Sequence, residues 1–325
     1  MDHGSSAWGR RGVEGQVTVR PDPTSVDITS GRVILVTMTH AASATGPLTR
    51  VPCPLCRGTE DEPWAEENGF HCVRCRACGL LFVNPRPSPE LIDQGVQMGL
   101  HSLESAELNV VGSRSSWKVP VFVGVIRSMF PEFQPGGTPV RWLDVGAGFG
   151  ELLESLGQIV PPGSTCEGIE PMIPKAQDCR RRGLTVQTCF LSDVQGRFDV
   201  VSVIDVFSHV PDFGAFLEEI KRVLVPRGEV FIKTGNGADI GPRSRLPDPL
   251  TLPDHLVFGG EKHLRRFLHE AGFDVVDLKA HRMDGVGHTI RNVVKKLVGK
   301  PVCLGLPYTS PARVLYVRAR LRAAG

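Results

Sequence analysis

Three sets of residues in this chain combine types and spacings that do chemistry. The first is RWLDVGAGFG, residues 141–150, an apolar run that ends at Asp144 and continues through Gly146, Ala147, Gly148 and Gly150. Small residues in such a turn let a backbone come close to a ligand at a helix N-terminus, where N–H groups point outward. The second set is cysteine: Cys53 and Cys56 in CPLC, then Cys75 and Cys78 in CRAC, with Cys72 offering a competing pair in CVRC. The third is histidine. His209 and His255 sit in mostly apolar sequence, and an imidazole with an ordinary pKa of about 6.5 takes up a proton near neutral pH.

Two C-x2-C pairs at this separation offer four thiolates, which is a closed tetrahedral zinc site with no open position, hence a structural one. Gly79, directly after CRAC, suits the tight turn of a metal-binding knuckle. The remaining cysteines, Cys166, Cys179, Cys189 and Cys303, are scattered through apolar or loop sequence and read as plain buried thiols. A metal-like rather than disulfide-like usage of the nine cysteines fits a reducing, cytoplasmic setting.

The glycine turn admits two cofactor classes. A dinucleotide fingerprint runs G-x-G-x-x-G, whereas here the glycines alternate and position 151 is not glycine. Asp144 would repel a diphosphate and would attract a sulfonium cofactor that also carries an ammonium group. Glu170, at the end of the next apolar run, is placed to accept hydrogen bonds from two ribose hydroxyls, a feature that both classes share.

These residues need elements to hold them. Apolar runs at 141–146, 165–170, 184–190, 198–206, 228–234 and 273–281 predict strands. Stretches around 150–158, 172–182, 212–224 and 260–271 predict helices between them, so the fold class is α/β, a Rossmann-like doubly wound sheet. Ahead of it, residues 1–48 are rich in Gly, Ser, Thr and Pro and predict a disordered lead, within which Met38 is a second candidate for the first residue. Residues 49–88 form the cysteine module, 89–138 a helical linker or lid, 139–285 the main domain and 286–325 a basic helical tail. That tail holds Arg291, Lys295, Lys296 and Lys300, and Ile290, Val293, Val294, Leu297 and Val298 recur in it at helical spacing. It predicts a helix that covers the core with a solvated basic face, which a nucleotide-sugar diphosphate or an anionic lipid carrier could also use.

Bulk numbers set the outer limits. A chain of 325 residues predicts one large core with one or two smaller modules. Apolar content of 41% and charged content of 22% are ordinary for a globular protein, and a net charge of +2 argues neither for nor against nucleic acid. No apolar stretch approaches the ~18 residues of a spanning helix, and no secretory leader is expected.

The run FDVVSVIDVFSHVPDFGAFLEEIKRVLVPRGEVFIKT resembles the corresponding block of class I S-adenosylmethionine (SAM)-dependent methyltransferases, and the resemblance extends over residues 140–278. It implies a seven-stranded sheet with SAM as cofactor. It places the turn of Gly146, Gly148 and Gly150 on the methionine part and Glu170 on the ribose. Phe190 and Leu191 then lie near the adenine, and Asp205 and Val206 face the sulfonium. The segment CRACGLLFVNPRP is similar to the ribbon that precedes some bacterial members, which implies Cys75 and Cys78, not Cys72, as the second zinc pair. His209 stands where the family often has Glu-His, with Ser208 in place of the Glu. His255, in LPDHLVFGGEKHLRRFLHEAGF, matches a family segment near the acceptor. Both are candidate catalytic bases, His209 the favoured one, while His101, His263 and His269 read as surface or core residues. Two departures concern the acceptor side: Thr234, Gly235 and Asn236 stand where relatives carry a Pro-Asn turn, and residues 89–139 hold no tyrosine.

The leading reading is methyl transfer from SAM to a hydroxyl or carbon of a small molecule. A sugar or glycan precursor, for instance a nucleotide sugar, or a natural-product precursor is implied by similar ribbon-bearing enzymes. A second reading is a zinc-containing ribosomal RNA base methyltransferase, some of which begin with CPLC. Their second ligand pair usually includes a histidine, and the basic, aromatic-interleaved surface that RNA needs is missing here, so nucleic acid is not the favoured partner. A third is a SAM-binding protein without catalysis, its acceptor site altered at Ser208 and Gly235. Product formation from labelled SAM separates the third from the other two.

Overall fold

The structure is a computed structural model that describes residues 48–103, 106–134, 136–246, 248–281, 286–299 and 313–323. Almost all of the expected disordered lead, with Met38, lies outside the described residues, as do Lys300 and Cys303.

Three strands, β1 (Asp61–Glu67), β2 (Phe70–Cys75) and β3 (Leu81–Val83), open an antiparallel sheet. Helix α1 (Pro89–Met98) starts on a proline, whose missing N–H is needed by no partner there, and ends at Gly99 in the left-handed region at φ 65°. A short hairpin, β4 (Leu100–Ser102) and β5 (Glu107–Asn109), leads to α2 (Lys118–Met129). Phe122, Val125, Ile126 and Met129 fall on one face of α2 and are buried. The segment expected to be helical with a break near residues 111–116 therefore also contains a two-stranded hairpin ahead of that break.

Strand and helix then alternate as expected: β6 (Arg141–Val145), α3 (Glu151–Leu156), β7 (Thr165–Ile169), α4 (Ile173–Arg181), β8 (Val186–Gln187), β9 (Phe198–Ile204), α5 (Phe213–Val223) and β10 (Leu224–Gly235). After them come β11 (Val257–Phe258), α6 (Glu261–Glu270), β12 (Phe273–His281), α7 (Val286–Leu297) and β13 (Val314–Leu321). Seven strands form one sheet in the order β12-β13-β10-β9-β6-β7-β8, in which β13 runs antiparallel to both neighbours.

The C-terminal tail corrects the sequence reading. It is a helix followed by a strand, and β13 sits inside the sheet with Leu315, Val317 and Ala319 buried. Arginines disguise it. Arg318 is buried, donates to Glu229 at 2.5 Å and to the Met129 carbonyl at 2.6 Å, pairs with Glu132, and lies over the Phe130 ring. A buried guanidinium is tolerated only when it is paired and hydrogen-bonded in this way.

Period-2 alternation divides the sheet's side chains between two cores. Trp142, Val200, Phe231 and Tyr316 pack with α2 and α3, Trp142 standing 5.2 Å from the Phe130 ring. Leu143, Val145, Val201, Val203 and Ile232 share the other core with α5, α6 and the cysteine segment, including Cys53, Leu55, Phe70 and Phe82. The cysteine segment is thus joined to the main domain through one core, and β11 adds a fourth strand to its sheet by pairing with β3. Among the described residues no helix is long and apolar enough to cross a membrane.

Candidate active site

The chain runs from β6 outward to β8, then returns to β9 on the other side of β6. Such a reversal leaves a crevice at the C-terminal ends of the strands, and a cavity of about 830 Å³ opens there. Gly146, Gly148 and Gly150 adopt φ values of 70°, 57° and 78°, a region that a side chain disfavours. A Cβ on Gly146 would also come within 2.4 Å of Val206. Gly146, Ala147 and Gly148 line the cavity, but Gly150 does not. It caps α3, and a Cβ there would come within 2.4 Å of Leu184. The structure thus places the third glycine, unlike the first two, against Leu184 and outside the cavity lining.

Two carboxylates lie beneath this turn. Glu170 accepts the Gly148 N–H at 2.7 Å and the Met172 N–H at 2.9 Å, and each of its oxygens keeps a further lone pair. Burial pushes its pKa up against these backbone donors. Asp144 is 1% exposed, and its Oδ1 accepts the Ser202 hydroxyl at 2.6 Å, while Ser202 accepts the Trp142 indole N–H. Burial pushes Asp144 up to about 7, with Ser202 opposing and the charges of Glu170 and Glu151 adding to the rise. Phe190 is half-buried and Leu191 buried, and both line the cavity. Asp205, at φ 59°, and Val206 line it as well, the Asp205 carboxylate paired with Lys233.

His209, in the turn after β9, and His255, in the loop before β11, line the same cavity with ring centroids 4.7 Å apart. His209 Nδ1 donates to the Asp254 carbonyl at 2.9 Å and lies 3.5 Å from Asp254 Oδ1. His255 Nδ1 donates to the Leu250 carbonyl at 2.8 Å. A carbonyl can only accept, so both rings carry hydrogen on Nδ1 and a lone pair on Nε2 when neutral. Burial opposes charge on His209, but the hydrogen bond and charge of Asp254 outweigh it and raise the pKa. On His255 burial and the neighbouring His209 both act to lower it. Burial acts against the Asp254 charge too, yet the bonds from His101 and His209 hold its carboxyl well below the usual range. His101 Nε2 stands 2.9 Å from Asp254 Oδ1. Neither His101 nor Asp254 belongs to a recognisable motif. The only sequence signal was the acid directly before His255.

The cysteine segment holds the loop that carries Asp254 and His255. Glu67, ending β1, accepts the N–H groups of Leu250 at 2.8 Å and Thr251 at 2.6 Å, and the Asn68 amide donates to the Leu252 carbonyl at 2.7 Å. Val83 on β3 donates to the Leu256 carbonyl at 2.8 Å.

Ligand atoms of Cys53, Cys56, Cys75 and Cys78 all lie within 4.8 Å of one another, with Sγ separations of 3.6 Å for Cys53–Cys78 and 3.5 Å for Cys56–Cys75. A tetrahedral ion with ~2.3 Å bonds to sulfur has edges of roughly 3.8 Å, so the set fits zinc. The two knuckles repeat one pattern: Cys53 N–H bonds to the Gly58 carbonyl as Cys75 N–H does to Leu80, and Arg57 and Gly79 take positive φ at the equivalent position. The hydrogen bond shared by Cys53 and Cys78 holds the Cys53 thiol down, to about 5, and pushes Cys78 up. Cys72 lies outside the cluster, pushed up to about 12 by burial. Cys166, Cys179 and Cys189 are free thiols. His263 is buried and donates to the Cys78 carbonyl at 3.0 Å, whereas His269 is exposed.

Residues 123–278 match a family described as a methyltransferase domain. The ubiquinone biosynthesis O-methyltransferase of Methylococcus capsulatus is 30% identical over 181 residues, 51% of this chain and 74% of that protein. The mitochondrial protein of that name from Homo sapiens is 30% identical over 159 residues, 44% of this chain but only 39% of the human length. Among solved structures, an S-adenosylmethionine-dependent methyltransferase from Mesorhizobium loti is 18% identical, with a TM-score of 0.44 over 61% of this chain and 96% of that one; so slight a likeness carries none of the assignment. With the glycine turn, the paired carboxylates and the relative from Methylococcus in agreement, the chain belongs to the class I SAM-dependent methyltransferases.

Proposed function

We propose that this chain transfers the methyl group of SAM to a hydroxyl oxygen of a small molecule, with His209 as general base. The observation that carries this reading is the place of His209. It lines the cavity shared with the glycine turn and Glu170, its Nδ1 is committed to Asp254, and its Nε2 is left to take a proton. SAM, when bound, supplies a methyl group made electrophilic by its sulfonium. In this reading Asp144 holds the ammonium end, Glu170 the ribose hydroxyls, and Phe190 and Leu191 the adenine. Asp205 is committed to Lys233, which leaves Val206 as the contact beside the sulfonium. His209 Nε2 takes the hydroxyl proton as the new carbon–oxygen bond forms, and the Asp254 charge stabilises the resulting imidazolium. Alignment of the two reactants supplies most of the acceleration, and the base a further ~10²–10⁴. His255, less basic, lies beside it as a second polar contact.

Oxygen is favoured over carbon because the curated relatives are named O-methyltransferases. The lining favours an acceptor without phosphate: eight Asp or Glu residues face the cavity against two lysines, Lys118 and Lys175. Those acids repel a nucleotide-sugar diphosphate and an RNA backbone alike. Ile92, Val96, Val110, Val111, Phe122 and Phe216 add an apolar wall, which suits a hydroxylated ring with an apolar face better than a sugar. Labelled SAM incubated with a panel of hydroxylated aromatics and a panel of nucleotide sugars tests this, with mass spectrometry of the product. Methylation of nucleotide sugars alone would reverse the acceptor class, and labelled product with neither panel nor any other small molecule would leave the non-catalytic reading. For the four clustered cysteines the proposed role is a closed, structural zinc site that secures the scaffold of the acceptor-side loop.

A further inference from the structure

Asp254 stands between two histidines. His101, from β4, places Nε2 2.9 Å from Asp254 Oδ1, while the same oxygen lies 3.5 Å from His209 Nδ1. The shorter contact therefore goes to His101, and His209 gives its short Nδ1–H bond to the Asp254 main-chain carbonyl at 2.9 Å. His101 and the Asp254 side chain are 8% and 9% exposed, and His101 does not line the cavity. Its seat is built by α1: a Cβ on Gly95 would come within 2.3 Å of the His101 ring. The other charged or titratable groups facing this assembly are His255 at 4.7 Å from His209, with Lys175 and Glu170 on the His209 side and Asp205 on the His255 side.

We propose that His101 is a positioning residue that acts on His209 through Asp254, drawing the shared carboxylate to itself so that His209 keeps its Nδ1 on the main-chain carbonyl and its Nε2 free. The physical content is a competition. An unrestrained carboxylate 3.5 Å from Nδ1 would close on His209 and favour its imidazolium, which cannot accept a proton. Held by His101, the carboxylate stays near enough to stabilise the charge that forms during transfer, yet leaves the resting ring neutral and basic over a wider range of pH. The segment 89–109, outside the sheet, thereby sets the basicity of a residue in the main domain.

This inference rests on the base reading of His209, and its test does not need the acceptor. The full chain, carrying histidine labelled with nitrogen-15, is titrated by long-range nitrogen–proton correlation, which reports both the tautomer and the midpoint of His209. The native protein should show His209 hydrogenated on Nδ1 when neutral. His101→Phe, similar in bulk but without a donor, should raise the His209 midpoint by about one pH unit, and Asp254→Asn should lower it by about one or more, the usual scale for a carboxylate at this range. His101→Gln, which restores a donor, should return the midpoint toward native. Gly95→Ala, which displaces the ring without touching a polar group, should act like His101→Phe and guards against a folding defect in that variant. A merely structural His101 predicts a lower melting temperature with the midpoint unmoved, and that result overturns the proposal. His209→Ala with full turnover on a methylated acceptor overturns the base reading instead, and the titration is blind to it.

Discussion

Asp144→Asn separates the cost of a buried carboxylate from its use. In the absence of ligand Asp144 is 1% exposed and has one short hydrogen bond, from Ser202 at 2.6 Å. Burial raises it from the ordinary 3.8 to about 7. A folded-state pKa above the unfolded value means that the folded protein holds a proton which the unfolded chain releases between about pH 4 and 7. Stability is therefore highest below that window, is lost as pH rises through it, and the full cost is present above 7. Three units at ~1.36 kcal/mol each give about 4 kcal/mol at pH 8. Asparagine keeps an acceptor for Ser202 without the charge, so the ligand-free variant should melt several degrees higher than native at pH 8, with the gain shrinking toward pH 4. SAM binding should move the other way if, as proposed, the charge that opposes folding is the one that holds the ammonium group. A loss of ~1.5–3 kcal/mol, or roughly 10- to 150-fold in Kd, is the scale for a hydrogen bond to a charged partner. Scanning fluorimetry across pH and titration calorimetry with SAM read the two halves. A variant that is no more stable at pH 8 and binds SAM as tightly as native would refute the reasoning.

Glu170→Ala should weaken SAM binding by a similar factor in calorimetry, since it removes the proposed ribose acceptor and also frees the Gly148 and Met172 N–H groups that the carboxylate now pins. Cys75→Ser should lose zinc in metal analysis while Cys72→Ser keeps it, because Cys72 lies outside the thiolate cluster; the reverse pattern would mean that the ligand set is wrong. His209→Ala should lower turnover ~10²–10⁴-fold with SAM affinity nearly intact. The native pH–rate profile should rise with pH through a midpoint above 6.5, because Asp254 raises the His209 pKa and the base works only when deprotonated. A profile flat from pH 5 to 8 would exclude an imidazole base.

The sheet and the glycine turn were legible because local pattern and local role coincide there. Apolar runs of strand length alternate with helical stretches, and the left-handed φ values of the turn require glycine whatever lies elsewhere. What escaped notice depends on partners far away in the chain. β13 lies within the stretch 286–325, expected to be a basic helical tail, yet Arg318 finds Glu229, 89 residues away, and Glu132, 186 away. Gly150 continues the alternation and shares its positive φ, but it lies outside the cavity lining, and the distant Leu184 adds a second bar to any side chain there. His101 had no motif at all, and its partner Asp254 lies 153 residues on.

The largest gap concerns the cysteine segment, which a reading by composition separates from the main domain at residue 88. Spacing pointed to a four-thiolate site but left Cys72 in competition, the family resemblance favoured Cys75 and Cys78, and nothing in spacing could show what the cluster supports. Glu67 receives two N–H groups of the 250–251 segment at under 3 Å, Asn68 holds the next carbonyl, and β3 pairs with β11 just beyond His255. The loop between these anchors carries Asp254 and His255. Its main chain is thus fixed on both sides by a sheet that the knuckles close at one end, where His263 of α6 also grips the Cys78 carbonyl. A catalytic group works only while its supports hold it within tenths of an ångström. The order of the loop that carries Asp254 and His255 is therefore tied to the sheet of the cysteine segment. Removing a metal from the four thiolates should loosen Asp254 and His255 before it disturbs the glycine turn, which hangs from β6 on the parallel part of the seven-stranded sheet.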